Sequence, residues 1–157
     1  MKERLDRIDR HILARLQEDG RRSNKELAAQ VGLAPSSCAE RVRKLREAGH
    51  MRGIHAEVDP RALGIQLQAM VFVQLERHAA TIMSQFQEQV CAHPEVLAVY
   101  HVAGQHDFLV HVVARDTDHL QQLILMLSQP AVRHVQTALI FSHQRTHVLP
   151  DLTDDGS

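Results

Sequence analysis

Apolar residues recur at three- and four-residue steps through the first third of the chain and give way to alternation after it. Leu5, Ile8, Ile12, Leu13 and Leu16 predict an amphipathic helix, with Asp6 near its start and Gly20 just past its end. Leu27, Ala28 and Val31 predict a second, shorter helix. Ser23 and Glu26 open it as a capping box, and Gly32 closes it in the left-handed conformation. Leu33 and Ala34 leave room for only a tight turn. Pro35 then suits the first turn of a third helix, where its missing N–H is not needed. Ala34 is a poor N-cap, costing about 1 kcal/mol against Ser or Asp, and Ser37 with Glu40 offers a rival start. Cys38, Val42 and Leu45 form the apolar stripe of this third run.

Beyond the helices, His50 to Val58 alternates loosely and reads as a strand. Asp59-Pro60 breaks it, and a turn and short linker run through Leu63-Gly64. Two rounds of strand and helix follow. Ala69–Leu75 is a strand, and Ala80–Ala92 is a helix with Ile82, Phe86 and Val90 on one face. Val96–Ala103 and Phe108–Ala114 are strands joined by the Gly-containing hairpin Gly104-Gln105-His106-Asp107. Leu120, Leu123, Ile124 and Leu127 line a further helix that Pro130 ends, and Val135–Ser142 is a final strand. The order βαββαβ predicts a ferredoxin-like α+β sandwich, with helices on one face of an antiparallel sheet. Its other face leaves apolar positions in need of a partner. The expected divisions are a helix-turn-helix domain over 1–50, a linker strand and turn over 51–64, a second domain over 65–150, and an acidic, disordered tail over 151–157.

Two helices around a tight turn, the second with a basic polar face, are the signature of a helix-turn-helix entering a DNA major groove. Ser36, Ser37, Glu40, Arg41 and Lys44 fall on or beside the face opposite Cys38, Val42 and Leu45. Arg bridges guanine O6 and N7, Ser bonds bases or phosphates, Glu accepts from cytosine N4, and Lys suits phosphate. A solvated helix exterior has the same composition, so the charge distribution matters. The chain holds 18 Lys and Arg against 19 Asp and Glu. Residues 1–50 carry 12 basic and 8 acidic side chains, and the remainder 6 and 11. That is a basic head on an acidic body.

Other chemistry is sparse. Cys38 and Cys91 show no metal or redox spacing and read as free thiols in a reducing compartment. No apolar run reaches transmembrane length, and the charged start is no secretory signal. His101, His106 and His111 flank the hairpin, with His143 and His147 near the C-terminus, but their spacing matches no metal motif. No cofactor, metal site or catalytic constellation is expected.

The stretches LDRIDRHILARLQEDGR, SNKELAAQVGLAPSSCAERVRKLREAGHMRGIHAEVDPRALG and VYHVAGQHDFLVHV together resemble the Lrp/AsnC family of feast/famine transcription regulators, from about Leu5 to Pro150. The resemblance implies a winged or wing-like head, a linker strand, and an effector-sensing domain that dimerises through its sheets. Similar members often assemble further into octamers and respond to amino acids. It places DNA reading on Pro35 to Lys44 (Pro35, Ser36, Ser37, Glu40, Arg41, Arg43 and Lys44), with Ser23 ahead of them. It places the effector on Ala103, Gly104, Gln105, His106, Asp107 and Phe108, with Thr137 on the last strand. Gly104 lets backbone N–H groups approach a carboxylate, and Asp107 can pair an α-ammonium. The same two residues equally suit a plain hairpin turn. Ala103 departs from the family pattern, where a hydroxyl residue often precedes this glycine.

The implied partners are double-stranded DNA, an amino acid and a second copy of the chain, in the cytoplasm on the nucleoid and not on a membrane. Two other readings share the architecture. A siroheme-decarboxylase-like enzyme would use cationic side chains to grip tetrapyrrole carboxylates. Yet the segment after the head reads MRGIHA, not the RRIGA-like run of those enzymes, and the arginines after residue 50 do not cluster. A nucleoid-associated architectural protein would use the same head without an operator.

Overall fold

A computed structural model of the chain describes residues 5–144, 146 and 148–153. They fall into two compact units. One is built from the first 56 residues with the segment from 144 onward, and the other from 57–143.

The first unit opens with α1, Arg7–Glu18, which Asp6 and Asp9 start as a reciprocal capping box. The Asp9 N–H donates to Asp6 Oδ1 at 2.7 Å, and the Asp6 N–H to Asp9 Oδ2 at 3.2 Å. In α2, Asn24–Val31, the Ser23 N–H and hydroxyl meet Glu26 Oε2 at 2.8 and 2.7 Å, and Gly32 ends the helix at φ 70°. The third helix, α3, runs Pro35–Glu47 with no side-chain cap on Ala34, so it begins at Pro35 and the rival start at Ser37 is not used. Ile12, Leu27, Ala28, Cys38, Val42 and Leu45 form the shared core. Each buried Leu or Ile contributes about 1.5–3 kcal/mol against leaving it in water, enough to hold short helices that are marginal alone. Burial raises the Cys38 thiol pKa and keeps it inert, whereas Cys91 is exposed.

The chain returns to this unit at its end. The Leu149 N–H donates to Gln17 Oε1 at 2.7 Å, and Arg10 Nε lies 3.2 Å from Asp151 Oδ2. Of the tail expected to be disordered from 151, Asp151–Thr153 are described, and Asp151 Oδ1 accepts from the Thr153 N–H at 3.0 Å. Residues 154–157 lie outside the described residues.

Residues 51–59 correct one expectation, because no strand forms there. Alternation marks which side chains face inward, but a strand also requires a ladder partner for its N–H and C=O groups. None of the sheet pairings among the described residues includes this segment. A 3₁₀ turn, Pro60–Leu63, follows, capped by Asp59 and closed by Gly64.

The second unit is the expected βαββαβ sandwich. Its elements are β1 (Leu67–Leu75), α4 (Ala80–Cys91), β2 (Val96–His101), β3 (Phe108–Ala114), α5 (Thr117–Leu127) and β4 (Val132–Leu139). All pairings are antiparallel in the order β2-β3-β1-β4. Val71, Val73, Phe108, Val110 and Val112 are buried against Phe86 and Val90 of α4 and Leu120, Leu123 and Leu127 of α5. Phe86 meets Phe108 with ring centroids 5.0 Å apart. Strand β4 begins at Val132 instead of Val135. As an edge strand it exposes Arg133 and His134, so the apolar alternation starts later than the ladder.

Candidate nucleic-acid interface and effector hairpin

Helix α3 presents its first turn to solvent because Cys38, Val42 and Leu45 anchor the opposite side. Pro35, Ser36 and Ser37 are exposed, and with Ala34 uncapped the first-turn N–H groups carry the positive end of the helix dipole. Lys44 is exposed, and its ammonium, near enough to Glu40 to lower that carboxyl's pKa, makes no hydrogen bond or salt bridge among the described residues. These groups can contact phosphate or base edges without breaking an existing bond.

Both arginines of the expected reading set are held by carboxylates of the chain itself. Arg41 Nη1 donates to Asp6 Oδ2 at 2.7 Å and to Asp9 Oδ1 at 2.8 Å, so it braces α3 against the cap of α1. The Asp9 N–H, then Arg41, holds the Asp6 carboxyl below the usual carboxylate range. Asp9 and Asp6 in turn raise the Arg41 pKa. Arg43 is gripped from both sides along its own helix, by Glu40 at 2.6 Å and by Glu47 at 2.6 Å. Glu40 thus neutralises Arg43 and is itself lowered chiefly by that contact. The Ser23 hydroxyl is taken up in capping α2. The sequence could not separate these fates, since an arginine at the edge of a polar face looks the same whether it meets solvent or a neighbouring cap.

In the second unit, Ala103, Gly104 and Gln105 form an exposed hairpin tip, closed by the Val102 N–H donating to the Asp107 carbonyl at 3.0 Å. Gly104 sits at φ 141°, which side chains rarely adopt, and a Cβ there would meet nothing within 4 Å. The backbone is therefore both special and accessible. Asp107 is drawn inward. Its Oδ2 accepts the Leu75 N–H at 2.7 Å and its Oδ1 lies 2.9 Å from His78 Nε2. His106 packs on Phe72, centroids 5.3 Å apart, and its Nδ1 is buried without a hydrogen-bond partner. Phe108 belongs to the core. Thr137, on β4, pairs with Val71 of β1, so β1 separates it from the hairpin. Six of the seven expected effector residues are thus contiguous, and Thr137 is not beside them within one chain. Sequence reasoning passed over His78, which carries no spacing signal because it lies in the segment after β1. His147 lies outside the described residues. Among the described ones, no three His, Cys, Asp or Glu side chains group as a metal site, and no helix is long and apolar enough to cross a membrane.

The sheet face away from α4 and α5 carries no helix of this unit. Its rows are Tyr100, Leu109, Phe72 and Gln136, and beside them Ala98, His111, Met70 and Ala138. His111 Nε2 lies 3.0 Å from Gln68 Oε1 on that face.

Comparison with known proteins agrees with both units. Residues 5–46 match the AsnC-type helix-turn-helix domain, and residues 68–148 match the Lrp/AsnC ligand binding domain. The chain is 43% identical over 143 residues to the HTH-type transcriptional regulator AldR of Mycolicibacterium smegmatis, covering 90% of this chain and 84% of that protein. It is 37% identical over 138 residues to the leucine-responsive regulatory protein of Escherichia coli K12, covering 87% and 84%. A Neisseria meningitidis transcriptional regulator solved in complex with L-Met superposes with a TM-score of 0.84 at 33% identity, covering 94% of this chain and 97% of that one. A helix-turn-helix head with an exposed α3 and a ligand-binding βαββαβ unit, matched along nearly the whole length, make this chain a member of the Lrp/AsnC family of transcriptional regulators.

Proposed function

We propose that the chain is a sequence-specific DNA-binding regulator that dimerises through its open sheet face and responds to an amino acid. The observation that carries the DNA reading is the first turn of α3. Pro35, Ser36 and Ser37 stand exposed on a helix whose far side is locked by core packing and by Arg41. A braced helix with free polar groups at its N-terminus is what groove recognition needs, because contacts made by a fixed element carry a smaller ordering cost.

The amino-acid reading is supported by the exposed backbone at Gly104, by the unpartnered Nδ1 of His106, and by the relative solved with L-Met. An effector acts here by linkage. It shifts assembly or head geometry only to the extent that it binds one state better than another. The dimer reading is supported by the apolar content of the open face, where Met70, Phe72 and Leu109 are only half-buried in one chain. In this reading the protein works in the cytoplasm, bound to the nucleoid, as a dimer able to assemble further to an octamer.

Fluorescence anisotropy with the duplex upstream of the protein's own gene, titrated with each free amino acid, tests the reading. Operator affinity well above that for mixed-sequence DNA, altered by one or a few amino acids, is the expected result. Equal affinity for all duplexes and no response to any amino acid would favour an architectural protein.

A further inference from the structure

Arg46 in the last turn of α3 and Arg52 in the segment beyond it line a single cleft of about 420 Å³ with Met51, Gly53 and Ile54. Both arginines are exposed, and neither guanidinium has a partner among the described residues. This sets them apart from Arg41 and Arg43, which carboxylates already hold. At about 100° per residue Arg46 stands between Val42 and Arg43, on the flank of α3 away from Arg41 and about 160° around the helix from Lys44.

The segment bearing Arg52 is not a loose end. Gly49 turns the chain at φ 69°, and the His50 and Met51 N–H groups both donate to the Leu45 carbonyl, at 3.0 and 3.3 Å. Further on, Ile54 packs so closely on Gly20 that a Cβ there would lie 2.7 Å from Ile54 Cγ2. The positions of Arg46 and Arg52 are therefore set by the fold. A helix C-terminus ordinarily repels anions. Here the Lys44, Leu45 and Arg46 carbonyls already accept from the N–H groups of Ala48, His50 and Gly49, at 2.9, 3.0 and 2.9 Å. What the cleft offers to an incoming group is thus two cationic forks beside a helix end whose carbonyls are already engaged. A planar guanidinium matches a phosphate bidentately.

We infer that Arg46 and Arg52 form a clamp for the phosphodiester backbone of duplex DNA, at the end of α3 remote from its base-facing first turn. The inference rests on the DNA-binding reading above and adds a site outside the residues assigned to it. Contacts of this kind set register and orientation without reading sequence. Free phosphate shares the chemistry, so the test must separate the two.

Binding of the full-length protein to a mixed-sequence duplex is measured by anisotropy across a salt series, for the wild type, the Arg46→Ala/Arg52→Ala pair and the Arg46→Lys/Arg52→Lys pair. Each phosphate contact contributes about 0.9 to the slope of log affinity against log salt. The alanine pair is expected to flatten the slope by about 1.8 per engaged head, and equally on any sequence, while the lysine pair keeps it. Circular dichroism melting checks that the alanine pair is folded, and if it is not, Arg46→Gln/Arg52→Gln is read in its place. An unchanged slope in a folded variant overturns the clamp. So does inorganic phosphate that perturbs the two arginines by NMR when the slope is unaffected by their loss, since the site is then one for free anions. A wild type that binds no duplex at low salt overturns the DNA-binding reading itself, and the clamp with it.

Discussion

One guanidinium nitrogen of Arg41 bonds both carboxylates that start the first helix, Asp6 at 2.7 Å and Asp9 at 2.8 Å. The middle of α3 is thereby tied to the cap of α1, residues more than thirty positions away in the chain. Packing of Val42 and Leu45 against Ile12 holds the same two helices from the core side.

Arg41→Ala is accordingly expected to destabilise the head by about 1 kcal/mol, the usual range for a partly exposed charge-assisted pair. A double-mutant cycle with Asp9→Asn, followed by urea unfolding, isolates the coupling. Additive effects of the two substitutions would show that the pair contributes nothing and leave Arg41 available to DNA.

The same pair sets an acid dependence. The capping N–H of Asp9, and then Arg41, lower the pKa of Asp6 in the folded state. A depressed folded pKa gives stability that is fully present above the unfolded value and is lost as pH falls through the folded one. Head stability is expected to decline on acidification below the ordinary carboxylate range, and Asp6→Asn to remove part of that decline. Melting curves over an acid series give the comparison.

On α3, Lys44→Ala is expected to weaken binding to all duplexes alike and to reduce the salt slope by about 0.9. Glu40→Gln and Glu47→Gln should do the reverse. Each loosens the grip on Arg43 and removes a negative charge from the exposed face, so mixed-sequence DNA should bind more tightly and discrimination should fall. Anisotropy titrations at several salt concentrations measure both effects, and unchanged affinity in all three variants would remove α3 as the contacting element.

Asp107 has a structural duty whatever the effector. Its carboxylate supplies the acceptor for the N–H of Leu75, a residue 1% exposed, at the point where the β1–β4 register shifts. Asp107→Ala leaves that N–H unpaired, a loss of about 1–3 kcal/mol, whereas Asp107→Asn retains an acceptor and should recover most of it. Thermal unfolding of both variants without ligand, then calorimetry with amino acids, separates the two roles. Undiminished stability of Asp107→Ala would instead assign the carboxylate to a ligand alone.

Phe72→Glu and Leu109→Glu place charge on the open sheet face, where Phe72 and Leu109 are cross-strand neighbours. Light scattering is expected to show the wild type as a dimer or larger and both variants as monomers. A wild type that stays monomeric at micromolar concentration would sink the dimer reading.

Much of this architecture was legible residue by residue. The capping box of Ser23 and Glu26, the stop at Gly32, the start at Pro35, and the limits of Phe108–Ala114 all follow from local geometry. Each depends on interactions within a few residues, and periodicity records them directly. The alternation from His50 to Val58 does not become a strand, for the converse reason. Alternation is local, but a strand's hydrogen bonds come from elsewhere, and no sheet pairing among the described residues reaches it.

The sequence by itself therefore determined the family, the three helices of the head, the βαββαβ order of the second unit and the two contiguous segments proposed for DNA and effector chemistry. Only the tertiary structure decided how each charge is used. Arg41, Arg43, Lys44 and Arg46 are similar letters on one helix. The first meets the α1 cap, the second is held between two glutamates, and the last two have side chains with no hydrogen bond or salt bridge among the described residues. Asp107 likewise turns to Leu75 and His78. Helical and strand periods specify which side a residue occupies, while the energy of a charge depends on what stands within a few ångströms of it. That neighbour is supplied by distant parts of the chain, which the local pattern does not record.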